Sequence, residues 1–225
     1  MHSSAYRSGE RFAGKRVLVV GAGNSGAEIA LDLLEHGARP LLCIRGPIHV
    51  VARDLGPVPA LDVAIAMQPL PEGLRSAVMR ASSLARYGSL RRWGIRRPRD
   101  GMLAQIRRGR IPLIDVGTIA AIRRRQIEVV PGIAEFRSRS VRFANGEERT
   151  ADAVVFATGY RTGLPDLLPG LRSSFDAKGL PASVPCLAEA PNLYFVGFEN
   201  SETGLLRAIA RRAAEVAERV GSFHP

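Results

Sequence analysis

The sequence predicts an α/β fold built on a parallel sheet, with a helical excursion between strands. Three observations predict it. A short β-branched run, Arg16-Val17-Leu18-Val19-Val20, leads directly into Gly21-Ala22-Gly23-Asn24-Ser25-Gly26 and then into a segment of helical periodicity. A second apolar run of strand length, Pro40-Leu41-Leu42-Cys43-Ile44, follows that helix closely, which makes a βαβ opening with a parallel pair. Far downstream, Ala153-Val154-Val155-Phe156-Ala157 is apolar throughout, as a fully buried strand requires, and it ends at Thr158-Gly159.

Taken in order, residues 1–14 read as an irregular lead-in rich in Ser, Gly and charge. The first helix spans 24–36, with Ile29, Ala30, Leu33 and Leu34 on its apolar face and Gly37 as its stop. Residues 54–115 form the helical excursion. Proline breaks come first, then a helix over 71–93 with Leu74, Ala77, Val78, Ala81, Leu84 and Ala85 at i, i+3, i+4 spacing. Short strands are predicted at 126–130, 133–136 and 140–143, and Asn145-Gly146 signals a hairpin turn because both residues tolerate positive φ. A Pro/Gly-rich loop covers 161–191, a strand 192–197, and a last helix 203–220 with Leu206, Ile209, Ala210, Ala213, Val216, Ala217 and Val220 on one face.

With 225 residues, 46% hydrophobic and 24% charged, the chain can bury a sizeable core and is not disordered. No apolar run approaches the roughly 20 residues of a membrane helix. The N-terminal residues Met1 to Arg7 lack the apolar core of a secretory signal. Two distant cysteines, Cys43 and Cys186, exclude a disulfide scaffold or a zinc ribbon and make a reducing cytoplasm the expected compartment. His2, His36, His49 and His224 form no metal-ligand spacing and read as solvated or packed. The net charge is +11, and only Lys15 and Lys178 of the 32 basic residues are lysines. The arginines spread along the chain with few aromatics and no nucleic-acid motif, so nucleic acid is not an expected partner and a solvated basic face is the leading reading.

The glycine loop carries the chemistry. Gly21-x-Gly23-x-x-Gly26 lies between a strand and a helix, where the first glycine permits a tight turn, the second admits a pyrophosphate and the third lets helix and strand pack. The helix start adds free N–H groups and partial positive charge. Together these features make a Rossmann-like dinucleotide-binding domain. An NAD site usually places a carboxylate at the end of the second strand, about 20 residues on. Here Cys43-Ile44-Arg45-Gly46 offers none, and Arg45 stands 19 residues after Gly26. A guanidinium suits a 2′-phosphate, so the expected cofactor is NADPH; the alternative is an ordinary strand-end arginine. Asp115 reads as a helix or turn cap. Ser25 lies outside any GxSxG elbow, which disfavours a hydrolase. A disulfide reductase on a two-dinucleotide plan is disfavoured because the cysteines form no CxxC.

Gly21-Ala22-Gly23-Asn24-Ser25-Gly26-Ala27-Glu28 resembles the NADPH loop of the flavin-containing monooxygenase family, particularly its YUCCA-like branch and bacterial relatives. Arg45-Gly46-Pro47-Ile48-His49-Val50, Pro112-Leu113-Ile114-Asp115-Val116-Gly117, Val130-Pro131-Gly132-Ile133, Phe156-Ala157-Thr158-Gly159-Tyr160-Arg161 and Tyr194-Phe195-Val196-Gly197-Phe198 resemble later blocks of that family in the same order. The resemblance implies a flavoprotein plan of two dinucleotide-binding domains, with the NADPH domain inserted into an FAD domain. Residues 15–155 would be the NADPH domain and 156–225 the returning segment of the FAD domain. It further implies that Thr158 and Gly159 mark that return, and that Gly197 and the start of the last helix approach the flavin. The implied reaction has NADPH reduce FAD, dioxygen form a C4a-hydroperoxyflavin, and one oxygen atom pass to a small-molecule substrate. That substrate would be a 2-oxo acid undergoing oxidative decarboxylation, or a nitrogen or sulfur centre.

The family's earlier FAD-binding GxGxxG has no counterpart here, and only the tail of its FxGxxxHxxxY motif is visible, as His2-Ser3-Ser4-Ala5-Tyr6. The chain therefore resembles the C-terminal half of such an enzyme. The readings it leaves open are a truncated gene, whose product would be a non-catalytic NADP-binding remnant or interaction module, a mis-set start, and one half of a split enzyme. In the last case the partner is a separate N-terminal FAD-binding half.

Overall fold

The computed structural model describes residues 1–138 and 140–222; His224 lies outside them. The elements run β1 (Arg16–Val20), α1 (Asn24–Glu35), β2 (Arg39–Cys43), β3 (Val50–Ala52), β4 (Asp54–Leu55), β5 (Val58–Pro59), α2 (Ala60–Ala66), α3 (Glu72–Tyr87), α4 (Met102–Arg107), β6 (Leu113–Asp115), α5 (Thr118–Arg123), β7 (Glu128–Val130), β8 (Ile133–Phe136), β9 (Val141–Phe143), β10 (Glu148–Arg149), β11 (Ala153–Phe156), α6 (Leu164–Leu167), β12 (Cys186–Leu187), β13 (Ala190–Tyr194) and α7 (Leu205–Gly221). They fall into two compact units. The first comprises Met1–Gln105 with Arg110–Thr158, and the second Ile106–Gly109 with the chain from Gly159 on.

The first unit is built on a four-stranded sheet of order β11-β1-β2-β7, parallel throughout. Strand order reverses between β1 and β11, the switch point at which open α/β sheets bind ligands. The register aligns Val20 with Cys43 on one side and Phe156 on the other, so the carboxyl ends of the three strands are level. Val17, Leu18 and Val19 of β1 are wholly buried because the sheet is covered on both faces. Val17 and Val19 join Ala27, Ala30 and Leu33 of α1 in one core, whereas Leu18 joins Leu41, Val130, Val141 and Phe143 in the other. The second cover is the antiparallel meander β8-β9-β10.

α1 ends as the sequence predicts. Gly37 has φ +76°, its N–H donates to Leu34 O at 3.0 Å, and the Ala38 N–H donates to Leu33 O at 2.9 Å, which completes a Schellman motif. The lead-in is less irregular than expected. The Met1 ammonium donates to Val154 O, Phe156 N donates to Met1 O, and His2 bridges Phe156 in parallel, so these residues lie along β11.

Several expectations change. The 71–93 helix stops at Tyr87, where Gly88 has φ +52°, and a separate 3₁₀ turn holds Arg91–Trp93. Its periodic face, from Leu74 to Ala85, is exposed, while Ser83 and Tyr87 on the opposite side are buried. At the hairpin only Gly146 takes positive φ; the Gly146 N–H donates to Phe143 O, so the loop is a turn closed by one left-handed glycine. In the second unit, β13 lies earlier than 192–197 because Ala190 and Tyr194 pair with Leu187 and Cys186 of β12. The 161–191 loop contains α6 and β12. Among the described residues no helix is long and apolar enough to cross a membrane.

Candidate functional site

The carboxyl edge of the parallel sheet brings the glycine loop, the end of β2 and the end of β11 to one side of the first unit. The three glycines have distinct surroundings. Gly21 has φ +112°, and a Cβ there would sit 2.3 Å from Ala157 O; no other residue fits the turn so close to the neighbouring strand. A Cβ at Gly26 would sit 1.9 Å from Gly21 O and 3.3 Å from Ala157 Cβ, so this glycine sets how closely α1 meets the sheet. A Cβ at Gly23 would meet nothing within 4 Å. Gly23 is exposed and is the N-cap of α1, with no side-chain cap. The first-turn N–H groups therefore have no side-chain cap, at the positive end of the helix dipole. The two outer glycines shape the protein, and the middle one leaves room for a ligand.

Ser25 is exposed beside that opening. Asn24 is engaged elsewhere: its Oδ1 accepts from the Ile114 N–H at 2.8 Å and ties the start of α1 to β6. Its offering to a ligand is thus its backbone N–H. Asp115, one residue further, caps α5. Its Oδ1 accepts from the N–H groups of Gly117 and Ile119, both at 3.0 Å, as the cap reading anticipates.

Arg45 stands two residues beyond the end of β2 and is exposed. It makes no ion pair with any described residue. Its stem lies against Gly132, where a Cβ would come within 3.2 Å of Arg45 Cγ. Sequence reasoning gave Gly132 no role. Its only signal was the Val130-Pro131-Gly132 block after β7, and the geometry explains it: glycine leaves space for the arginine stem. Cys43, buried below Arg45, donates through Sγ to Pro131 O at 3.2 Å. Burial pushes its thiol pKa up, and the Arg45 charge offsets only part of that, so Cys43 is a packed thiol rather than a nucleophile.

Ala157 N donates to Val20 O at 2.9 Å, and the exposed Thr158 follows at the switch point. The structure thus gathers Gly21, Gly23, Asn24, Ser25, Gly26, Arg45 and Thr158 on one edge of the first unit. Gly159, with φ +94°, and Gly197, with φ +88°, belong to the second unit. A Cβ at Gly197 would lie 3.3 Å from Ile209 Cδ1 of α7, so this glycine serves packing within that unit. Among the described residues no group of three His, Cys, Asp or Glu is placed to hold a metal. His49 is packed, its ring bonded to Asp100 O at 3.0 Å and its pKa lowered by burial.

The model of the flavin-binding monooxygenase-like family matches residues 1–180. The indole-3-pyruvate monooxygenase YUCCA8 of Oryza sativa subsp. indica is 40% identical over 230 residues, which cover 97% of this chain and 54% of that protein. YUCCA1 of Oryza sativa subsp. japonica, of the same description, is 38% identical over 215 residues, covering 92% and 51%. A flavin-containing monooxygenase from Stenotrophomonas maltophilia superposes with a TM-score of 0.64 at 21% identity, over 99% of this chain and 54% of that chain, a likeness of fold. The chain spans about half the length of the curated relatives it matches.

Proposed function

This chain belongs to the flavin-binding monooxygenase-like family, and from that premise we propose that it is the NADPH-binding and C-terminal portion of a flavin-dependent monooxygenase. Residues 15–155 form the NADPH domain, and 156–225 are the returning segment of an FAD domain. An FAD-binding portion, which these residues do not include, supplies the rest. The substrate is a small 2-oxo acid, the class in the names of the relatives at 38 and 40% identity. The reaction runs in the reducing cytoplasm, a setting suited to two free thiols.

One observation carries the reading: an open, uncapped helix start at the switch point, with an unpaired arginine at the end of the next strand. The N–H groups of Gly23, Asn24, Ser25 and Gly26 hold the pyrophosphate, and Arg45 takes the 2′-phosphate in a charge-assisted fork. Gly132 keeps that arginine in place. NADPH, when bound, supplies a hydride; the chain's own work is to orient the dinucleotide across the sheet edge. A thin core in the second unit supports its assignment to a partial domain. Among its described residues only Ile106, Ser174, Gly179, Pro185, Leu187, Phe195 and Ala208 are buried, and Ala208 alone in α7. Most of the apolar side of α7, including Leu206 and Val220, remains exposed, as in a helix whose sheet comes from another segment.

The test is a titration of the chain and its Arg45→Ala variant with NADPH and NADH. A charge-assisted contact is worth roughly 1.5–3 kcal/mol, so NADPH binding should weaken about 10-fold or more while NADH binding stays nearly unchanged. Equal losses for both cofactors would remove the assignment.

A further inference from the structure

A cleft of about 350 Å³ lies between the end of α3 and α5, wholly within the first unit. Arg86 and Tyr87 enter it from the last turn of α3, and Asp115 from the end of β6. Arg123 and Arg124 enter it from the end of α5, and Ile119 and Ala120 form its apolar wall. Neither Arg45 nor any residue from Gly21 to Gly26 lines it, so the dinucleotide reading leaves it unassigned. Tyr87 is its unusual member. The residue is 4% exposed, and its hydroxyl has no hydrogen-bond partner among the described residues. Asp115 and Arg86 stand near the phenol oxygen, but neither comes within hydrogen-bond distance. Asp115 Oδ1 is already taken by the N–H groups of Gly117 and Ile119. Burial, with the Asp115 charge behind it, pushes the Tyr87 pKa up to about 12, so the group is a hydroxyl donor. Buried polar groups are nearly always paired, and an orphan hydroxyl at the wall of a cleft needs a partner that the chain does not supply.

The charge around the cleft points the same way. Arg86, Arg123 and Arg124 are exposed, and none pairs with a carboxylate among the described residues. The Arg86 guanidinium lies over the Tyr87 ring, 5.9 Å from its centroid. Arg123 is held by two contacts. Its Nη2 donates to Tyr87 O at 2.5 Å, and its guanidinium lies 5.3 Å from the centroid of Trp93. Three guanidiniums against the single carboxylate of Asp115 leave two net positive charges along the cleft.

We propose that this cleft binds a phosphomonoester, a phosphate group on a small organic body. Arg86, Arg123 and Arg124 donate to the phosphate oxygens. Arg86 leaves its place over the Tyr87 ring to do so, which opens the buried hydroxyl to donate to a further oxygen. Ile119 and Ala120 line the part left for the organic body. Phosphate fits better than carboxylate because a phosphomonoester carries about −1.5 to −2 charges at pH 7, which matches the excess in the cleft. Planar guanidinium forks and one hydroxyl donor also suit its three terminal oxygens. The volume exceeds that of a bare phosphate and falls among small-molecule sites.

Calorimetric titration of phenyl phosphate into the full chain tests this, with benzoate as the carboxylate control. Phenyl phosphate should bind at least about 10-fold more tightly than benzoate. Arg86→Ala/Arg124→Ala changes two exposed side chains and should weaken its binding about 10-fold or more. Tyr87→Phe should weaken it about 5-fold without lowering the denaturation midpoint, because the change removes an unpaired buried polar atom. Equal binding of phenyl phosphate and benzoate, or no binding of either, would overturn the proposal. So would undiminished binding by the double arginine variant. A loss in Arg45→Ala as large as in that variant would overturn it by assigning the phosphate to the dinucleotide edge. A lowered midpoint in Tyr87→Phe would overturn it by showing that the hydroxyl already has a partner in the folded chain.

Discussion

α1 and α3 are both amphipathic by periodicity, yet they use that pattern in opposite ways. α1 turns Ile29, Ala30 and Leu33 onto the parallel sheet and leaves its polar side to water. α3 turns Ser83 and Tyr87 inward and leaves Leu74, Val78 and Leu84 outside. The difference lies in what each helix meets. α1 follows directly from β1 and must fold back over a sheet whose faces are apolar. α3 belongs to an excursion beside the two-stranded β3-β6 pair, where Ser83 Oγ donates to Val50 O, Arg97 donates to Ser83 O and Tyr87 joins the buried core. Periodicity therefore specifies that a helix forms and which side is apolar; the neighbouring elements decide which side is covered.

Substitutions can break or sharpen this contrast. The largest effect is expected at Leu33, which is wholly buried under α1. Leu33→Ala should cost about 2–5 kcal/mol through lost transfer energy and a residual cavity, read as a fall in denaturation midpoint. Gly26→Ala comes next, at roughly 1–3 kcal/mol, because its Cβ would press on Gly21 O and neither backbone can yield freely. Leu84→Ala is the small end of the series. The same chemical change as at Leu33, made on an exposed face, should stay within about 0.5 kcal/mol. A loss at Leu84 comparable to that at Leu33 would mean that the α3 face is already covered in solution.

The same contrast explains what was legible in the sequence. β1, α1, the Gly37 stop and β2 lie where strand composition, glycine spacing and helical period put them, to within a residue. Each is decided locally, and the βαβ unit then follows from the parallel pairing. The site was legible for a related reason: a glycine loop after a strand has few other uses. What the sequence hid depends on long-range partners. Gly132 matters only because it meets Arg45, some 87 residues earlier in the chain. The Asn24 side chain was legible as part of the loop, but its bond to Ile114 was not. The shift of β13 toward Ala190 reflects its antiparallel partner β12, which the Pro/Gly-rich reading of 161–191 left without structure. The exposed side of α3 was hidden for the reason given above.

The central claim is that the sheet edge at Gly21 to Gly26 is a dinucleotide cradle and not merely a tight turn. Gly23→Ala addresses it most directly, because its φ of −81° suits alanine and its Cβ would touch no protein atom. The measurement is calorimetric titration of NADPH into this variant, alongside its thermal denaturation. The account predicts an unchanged denaturation midpoint with NADPH affinity reduced at least about 10-fold, since the methyl group would occupy the space left for the pyrophosphate. Undiminished NADPH binding by a folded Gly23→Ala chain would contradict it.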